Sequence, residues 1–375
     1  MHLANAVESA PTSQLRLRGG LRVQTCGRRC TLVIAGNRER KRMATFCEIS
    51  GWIATPPARR PALRGARSVD AAIVGAGYTG LSTALALRKE GMSVALLERE
   101  FAGFGASGRN AGHAAPTIGK DLPSLITFFG MDRAKQLIHF AESAVRHFES
   151  LIADYGIACD YVPCGNIVAG VHPSHEKKLR KAADAGVALG GDMEFLDNAA
   201  MRARGLPPAF TCGMLEKCGG VLDPGKYVLG LRQAAIDAGV ELYEDTPVTR
   251  IADGPKVRIE TPGGTVEADR AVLATNAYTR STGRMKHAQL PLAVTLMTSA
   301  PFSDDQSRRI GWPMREGVST AHEILESYRW TVDGRLMIGT KTVRQGFGNR
   351  LAPADHSPTA DLLERTFRAR FPEVH

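Results

Sequence analysis

Six residues in a row, Gly75-Ala76-Gly77-Tyr78-Thr79-Gly80, and one acid, Glu98, carry the first chemistry legible in this chain. The glycines have separate duties. Gly75 permits a sharp strand-to-helix turn, Gly77 lets backbone approach a pyrophosphate, and Gly80 allows a helix to pack closely on a strand. A helix beginning there presents unpaired N–H groups and a partial positive charge to the phosphates. Glu98, with Arg99 beside it, follows Gly77 by 21 residues. That is the spacing at which a carboxylate accepts hydrogen bonds from an adenosine ribose.

The elements that must position these groups are readable around them. Ala71-Ala72-Ile73-Val74 is a short apolar run of a buried parallel strand, Leu81 to Arg88 is helical up to Gly91, and Ser93 to Leu97 is a second strand. A βαβ unit with its glycines and acid in register binds a dinucleotide. NAD and FAD share the ribose and pyrophosphate geometry, so this unit leaves the two open. The next stretch favours FAD. Phe101-Ala102-Gly103-Phe104-Gly105-Ala106-Ser107-Gly108-Arg109-Asn110-Ala111-Gly112 has too many small residues for a packed element and too few charges for a solvated linker. Its N–H groups would wrap the far side of a phosphate and reach a flavin ring.

Further along, Asp132 to Tyr155 is an amphipathic helix stopped by Gly156. Gly165 to His172 alternates as a strand, and Glu176 to Gly190 and Asp223 to Gly239 are helical. Strands follow at Val240 to Tyr243 and Pro247 to Ile251, with a hairpin around Pro262-Gly263-Gly264. Arg270 to Asn276 then returns an apolar strand to the nucleotide domain. Val318 to Lys341 reads as an antiparallel pair turning at Asp333-Gly334, the floor of a second domain.

The run Gly103 to Gly112 resembles the D-amino-acid-oxidase-like FAD-dependent oxidoreductases, and within them the γ-glutamylputrescine oxidoreductase branch, which carries a near-identical stretch. Phe129-Gly130-Met131-Asp132, Gly156-Ile157-Ala158-Cys159-Asp160-Tyr161 and Gly219-Gly220-Val221-Leu222-Asp223-Pro224 add to the likeness, which covers roughly residues 50–375. The resemblance implies an α/β fold: a Rossmann-like FAD-binding domain built from discontinuous segments, plus an antiparallel-sheet substrate domain with helices. It implies FAD held by Gly75, Ala76, Gly77, Tyr78, Thr79, Gly80, Glu98, Arg99, Ala106, Ser107, Arg109, Asn110, Ala111 and Gly112, with Val248 at the adenine end and Ala274 at a turn near the cofactor. It also implies oxidation of a C–N bond in an amine or amino acid by hydride transfer to flavin N5, the electrons passing to oxygen or another acceptor.

No side-chain set announces a catalytic residue, since flavin chemistry needs mainly a deprotonated amine held over the ring. Tyr328 and Arg335 are the candidates for facing the substrate, Arg335 by pairing with a carboxylate. Beside the Asp333-Gly334 turn, Arg335 also reads as a structural residue. His113, just past the glycine-rich loop, reads as a packing histidine more readily than as an acid–base or covalent group.

The bulk properties exclude several classes. The chain has 375 residues, 43% hydrophobic and 23% charged, enough for two or three domains. No apolar run approaches the ~18 residues that span a bilayer. The net charge is +10, but residues 1–42 hold nine Arg or Lys against Glu8 and Glu39, so +7 of it lies there. The remainder is near neutral, and without aromatic interleaving the basic stretch does not read as a nucleic-acid site. Cys26, Cys30, Cys47, Cys159, Cys164, Cys212 and Cys218 are odd in number and lack metal-ligand spacing, so no metal site is expected. Free thiols suggest the cytoplasm.

The expected organisation is a disordered basic extension or mis-called start over 1–42 and a lead-in over 43–69. The FAD-binding domain takes 70–120 and 221–285, and the substrate domain 121–220 and 286–345. An incomplete C-terminal segment begins over 346–375. The family continues past His375 with a segment that returns to the nucleotide domain, so weak FAD retention and little turnover are expected of residues 1–375 alone. The alternative functions are a truncated or catalytically impaired relative of the flavoproteins and, less favoured, an NAD(P)-linked dehydrogenase.

Overall fold

The computed structural model describes residues 14–16, 22–26, 29–34, 42–47, 50–119, 121–285, 288–345 and 357–372. The chain divides into two units, Met1–Pro56 and Pro57–His375. In the first, the described backbone runs as strands Gln14–Arg16, Arg22–Cys26, Arg29–Ile34 and Arg42–Cys47, paired antiparallel in sequential order. The expectation for 1–42, a disordered basic extension or a mis-called start, named no strand there; the β-branched and aromatic residues of Thr31-Leu32-Val33-Ile34 and Thr45-Phe46 favour pleated backbone.

The second unit holds the nucleotide-type sheet. Its strands lie in the order Glu241–Tyr243, Val94–Leu97, Gly65–Val74, Gly264–Leu273, Val257–Thr261, Arg250–Ala252. The first four run parallel and the last two add antiparallel. Ala71 to Val74 and Val94 to Leu97 are all buried, as strands of a parallel sheet covered on both faces must be. Two sequence expectations change here. The hairpin arm and the returning strand are one strand, Gly264–Leu273, whose first half pairs antiparallel on one edge while its whole length pairs parallel with Gly65–Val74. The lead-in is also tied down: Arg60 N–H donates to Glu244 Oε2 at 2.7 Å and Leu63 N–H to Thr246 Oγ1 at 3.1 Å.

A seven-stranded sheet follows the order Leu296–Thr298, Leu336–Thr340, Glu326–Trp330, Gly317–Thr320, Asn166–Gly170, Cys212–Glu216, Met193–Leu196. Val318 to Lys341 thus supplies three strands rather than two. Cross-strand partners share a face, so Val318, Tyr328 and Ile338 stand together. They join Phe210, Trp312, Phe367 and Phe371 in one core cluster, the last two brought by helix Ser357–Arg370 and the residue after it. On the opposite face Cys212 and Met214 pack with helices Leu122–Asp154 and Ser174–Ala188. The first of these breaks at Gly130, where φ is +73°, so the amphipathic helix expected over Asp132 to Tyr155 is preceded by a further helical part from Leu122. No helix among the described residues is long and apolar enough to cross a membrane. The described thiols of Cys159, Cys164, Cys212 and Cys218 are free.

Candidate functional site

The glycine turn is built by close approach. Gly75 has φ +103°, and a Cβ there would sit 2.7 Å from the Ala274 carbonyl oxygen. A Cβ on Gly77 would lie 2.8 Å from Ser107 Oγ, and one on Gly80 would collide with the Gly75 carbonyl. The Gly75 N–H donates to Leu97 O and the Ala274 N–H to Val74 O, each at 2.8 Å, so three strand ends converge on this turn. Helix Tyr78–Lys89 starts with no cap from the Gly77 position, and its Tyr78 N–H donates to Ser107 Oγ at 2.9 Å. The second glycine-rich loop therefore crosses the helix start. Thr79 is exposed in that first turn.

Glu98 sits at the end of the adjacent strand. Its Oε2 accepts from Ala76 N–H at 2.9 Å and its Oε1 from Glu100 N–H at 3.0 Å. Burial pushes its carboxyl above the ordinary range, while these two backbone N–H groups pull it back. Each oxygen keeps a further lone pair for a hydroxyl donor. Losing a charge-assisted bond to a ribose hydroxyl should cost roughly 1.5–3 kcal/mol. Glu98→Ala is therefore expected to weaken FAD binding about ten- to a hundredfold and, because it also leaves the Ala76 and Glu100 N–H groups without their acceptor, to lower the thermal melt. Equal Kd values in a fluorescence titration would show that the carboxylate is not on the ribose.

Beyond it, Ala106–Gly108 forms a single 3-10 turn. Asn110 Nδ2 donates to Ser107 O at 2.8 Å and to the Tyr78 hydroxyl at 3.2 Å, and Asn110 Oδ1 accepts from Gly112 N–H at 2.9 Å. Arg109 donates to Phe104 O at 2.6 Å and lies over the Phe104 ring. Arg99 lies over Tyr278, 4.9 Å from the ring centroid. Val248 packs against the cluster that holds Val74 and Leu97. The loop ends on the second sheet: Arg329 Nε donates to Ala111 O at 2.6 Å, and a Cβ on Gly112 would lie 2.8 Å from Arg329 Nη2.

The two candidates for facing the substrate are both engaged by groups of the protein itself. Tyr328 is fully buried in the aromatic core, with its hydroxyl donating to Glu326 Oε2 at 2.7 Å. Its strand neighbour Arg329 takes the opposite face and meets the glycine-rich loop at Ala111, because successive side chains alternate faces. Arg329 is 3% exposed, and burial pulls its pKa down to about 10. Arg335 holds the turn, donating to Asp333 Oδ2 at 2.7 Å and to Ser299 O at 3.1 Å. Sequence reasoning missed Arg329, for which the neighbouring Tyr328 was the nearest signal. It also missed the buried pair Arg232–Glu244, which no periodicity marks.

The residues present fit an elongated dinucleotide. The helix start is uncapped by its own residue, the cradle has no Cβ at Gly75, Gly77 or Gly80, and a carboxylate with acceptor capacity ends the next strand. Comparisons with known proteins agree. The γ-glutamylputrescine oxidoreductase of Escherichia coli is 31% identical over 72% of this chain, and the chain spans 64% of that relative's length, under two thirds. A probable oxidoreductase of Rhizobium meliloti is 30% identical over 77% of the chain and 68% of its own. The glycine oxidase of Geobacillus kaustophilus shares the fold with a TM-score of 0.66 at 22% identity, covering 82% of this chain and 79% of that one. The L-proline dehydrogenase of P. horikoshii gives a TM-score of 0.65 at 16% identity, over 83% and 78%. Residues 70–375 match the family described as FAD dependent oxidoreductase, and the chain belongs to that family.

Proposed function

We propose that the protein oxidises the C–N bond of an amine or amino acid with FAD, passing electrons on to oxygen or another acceptor. The observation that carries the reading is the join between the cofactor loop and the second sheet, where Ala111 and Gly112 meet the buried guanidinium of Arg329. The family's cofactor and the names of the relatives support it. When bound, FAD would supply the two-electron acceptor for oxidising the carbon that bears the nitrogen, the resulting imine being left for water to hydrolyse.

The chain's own residues do the positioning. The first turn of Tyr78–Lys89 binds the pyrophosphate through its N–H groups, with the Ser107 hydroxyl opposite, and Glu98 holds the ribose. Arg329 fixes the end of the cofactor loop by donating to Ala111 O. Free thiols fit a reducing compartment, and the proposal places the protein in the cytoplasm.

Denaturing the purified protein should release a yellow fluorescent compound with the mass of FAD. Glycine, L-proline and γ-glutamylputrescine, taken from the names of the relatives, form the first panel for bleaching the flavin absorption without oxygen. A colourless protein that binds NADH would overturn the reading.

A further inference from the structure

His113 follows Gly112 and opens the strand His113–Ala114, which pairs with Gly220–Val221. Its ring is held where the cofactor loop meets the second sheet. Nδ1 lies 3.0 Å from Asn166 Oδ1, and a Cβ on Gly317 would come within 2.8 Å of His113 Cε1. The orientation of Asn166 follows from its own partners. Its Nδ2 donates to Ala114 O at 2.8 Å and to Gly220 O at 3.5 Å, which turns Oδ1 towards the imidazole as an acceptor. Nδ1 must then carry the hydrogen, and Nε2 of the neutral ring is a bare lone pair.

That lone pair is buried, with no hydrogen-bond partner among the described residues. Burial first, and the charge of Arg329 second, push the ring's pKa down to about 4, so near pH 7 it is an acceptor rather than a cation. A histidine kept only for packing needs just the Asn166 bond, and leaving the second nitrogen dry and unpaired would cost free energy. A molecule bearing a donor removes that cost.

We propose that His113 Nε2 accepts a hydrogen bond from an uncharged N–H group of the molecule bound between the cofactor loop and the second sheet. The nearby positive charge of Arg329 disfavours an ammonium donor there. Two sources have the chemistry: the flavin ring, and the neutral amine substrate, the latter resting on the function proposed above. His113 acts as a positioning residue in either case.

Three proteins test it: the full chain, His113→Leu and His113→Gln, the last keeping an acceptor. If the flavin is the donor, His113→Leu should raise the Kd for FAD about tenfold and His113→Gln should restore much of it. If the amine is the donor, FAD affinity should hold. KM for the panel amine that bleaches the flavin should then rise about tenfold, with recovery in His113→Gln. Unchanged FAD affinity and unchanged KM in His113→Leu would overturn the proposal while leaving the flavin reading standing. A protein that releases no flavin would fail that reading instead. Should His113→Leu not fold, the wild-type chain labelled with [15N]histidine gives the answer. The Nε2 resonance should move upfield on adding FAD or the amine, and a resonance that stays in place with both refutes the bond.

Discussion

Arg232→Met is expected to cost the fold about 3–5 kcal/mol, and to loosen FAD retention with it. Arg232 Nε and Nη2 grip Glu244 Oε1 and Oε2 at 2.9 and 2.8 Å. Glu244 has no exposure and accepts in addition from Ala102 N–H at 2.8 Å and Arg60 N–H at 2.7 Å. Burial alone would raise its pKa, but the guanidinium and the two backbone donors hold it below the usual carboxylate range. Removing the arginine leaves a buried anion without its counter-charge, which is far worse than removing both partners. The double variant Arg232→Met/Glu244→Gln should therefore recover part of the loss in urea unfolding. The cofactor effect follows from the neighbouring contacts. Asp245 N–H donates to Glu100 O and Thr246 N–H to Glu98 O, so the segment carrying Glu244 also holds the strand end that presents Glu98. A single-variant loss below about 1 kcal/mol, the range of an exposed pair, would show that the pair is not sealed from water.

Glu216→Gln should act in the opposite direction. Glu216 ends strand Cys212–Glu216 with 8% exposure, and among the described residues no hydrogen bond or ion pair reaches its carboxylate. Neighbouring Lys217 is engaged with Asp192 and Glu194. Burial pushes the Glu216 carboxyl up from 4.5 to about 7. Between those two pH values the folded chain binds the proton more tightly than the unfolded chain, so stability is fully present below pH 4.5 and is lost as pH rises through 7. The cost above that window is on the order of 3 kcal/mol. Glutamine mimics the protonated acid and does not titrate. Glu216→Gln is thus expected to exceed the wild type by on the order of 3 kcal/mol at pH 8, with most of the gain gone by pH 5. Parallel unfolding curves at the two pH values would mean that a partner or water already solvates the charge.

The local chemistry of the nucleotide turn was legible because it depends on neighbours in the chain. Gly75, Gly77 and Gly80 follow an apolar strand and precede a helix within one short segment, and Glu98 is one crossover away. Backbone geometry alone limits what such a segment can do. The stop at Gly156 was readable for the same reason, a residue with positive φ at a helix boundary, whereas the first part of that helix, Leu122 to Phe129, was not read. Alternation over Val318 to Lys341 also located the turn at Asp333-Gly334, yet it read two strands where there are three and could not say which side of Glu326–Trp330 meets the glycine-rich loop. Both faces carry large side chains, and only the aromatic cluster delivered by Phe210, Trp312 and Phe371 sends Tyr328 inward and leaves Arg329 against Ala111.

By itself the sequence determined the glycine turn between strand and helix, the acid at the end of the next strand, the second glycine-rich loop and the family. The tertiary structure decided which charges are buried and what they touch. Arg232 and Glu244 stand 12 residues apart on a helix and beyond a strand, and only the packing that removes water from both makes them a pair. Arg329 reaches a loop 218 residues earlier in the chain, and Asn166 meets His113 across 53. Sequence periodicity reports the average side that an element buries. The partner of a single polar atom is set by desolvation and by the directions of a few hydrogen bonds, and those exist only once distant segments have closed on one another.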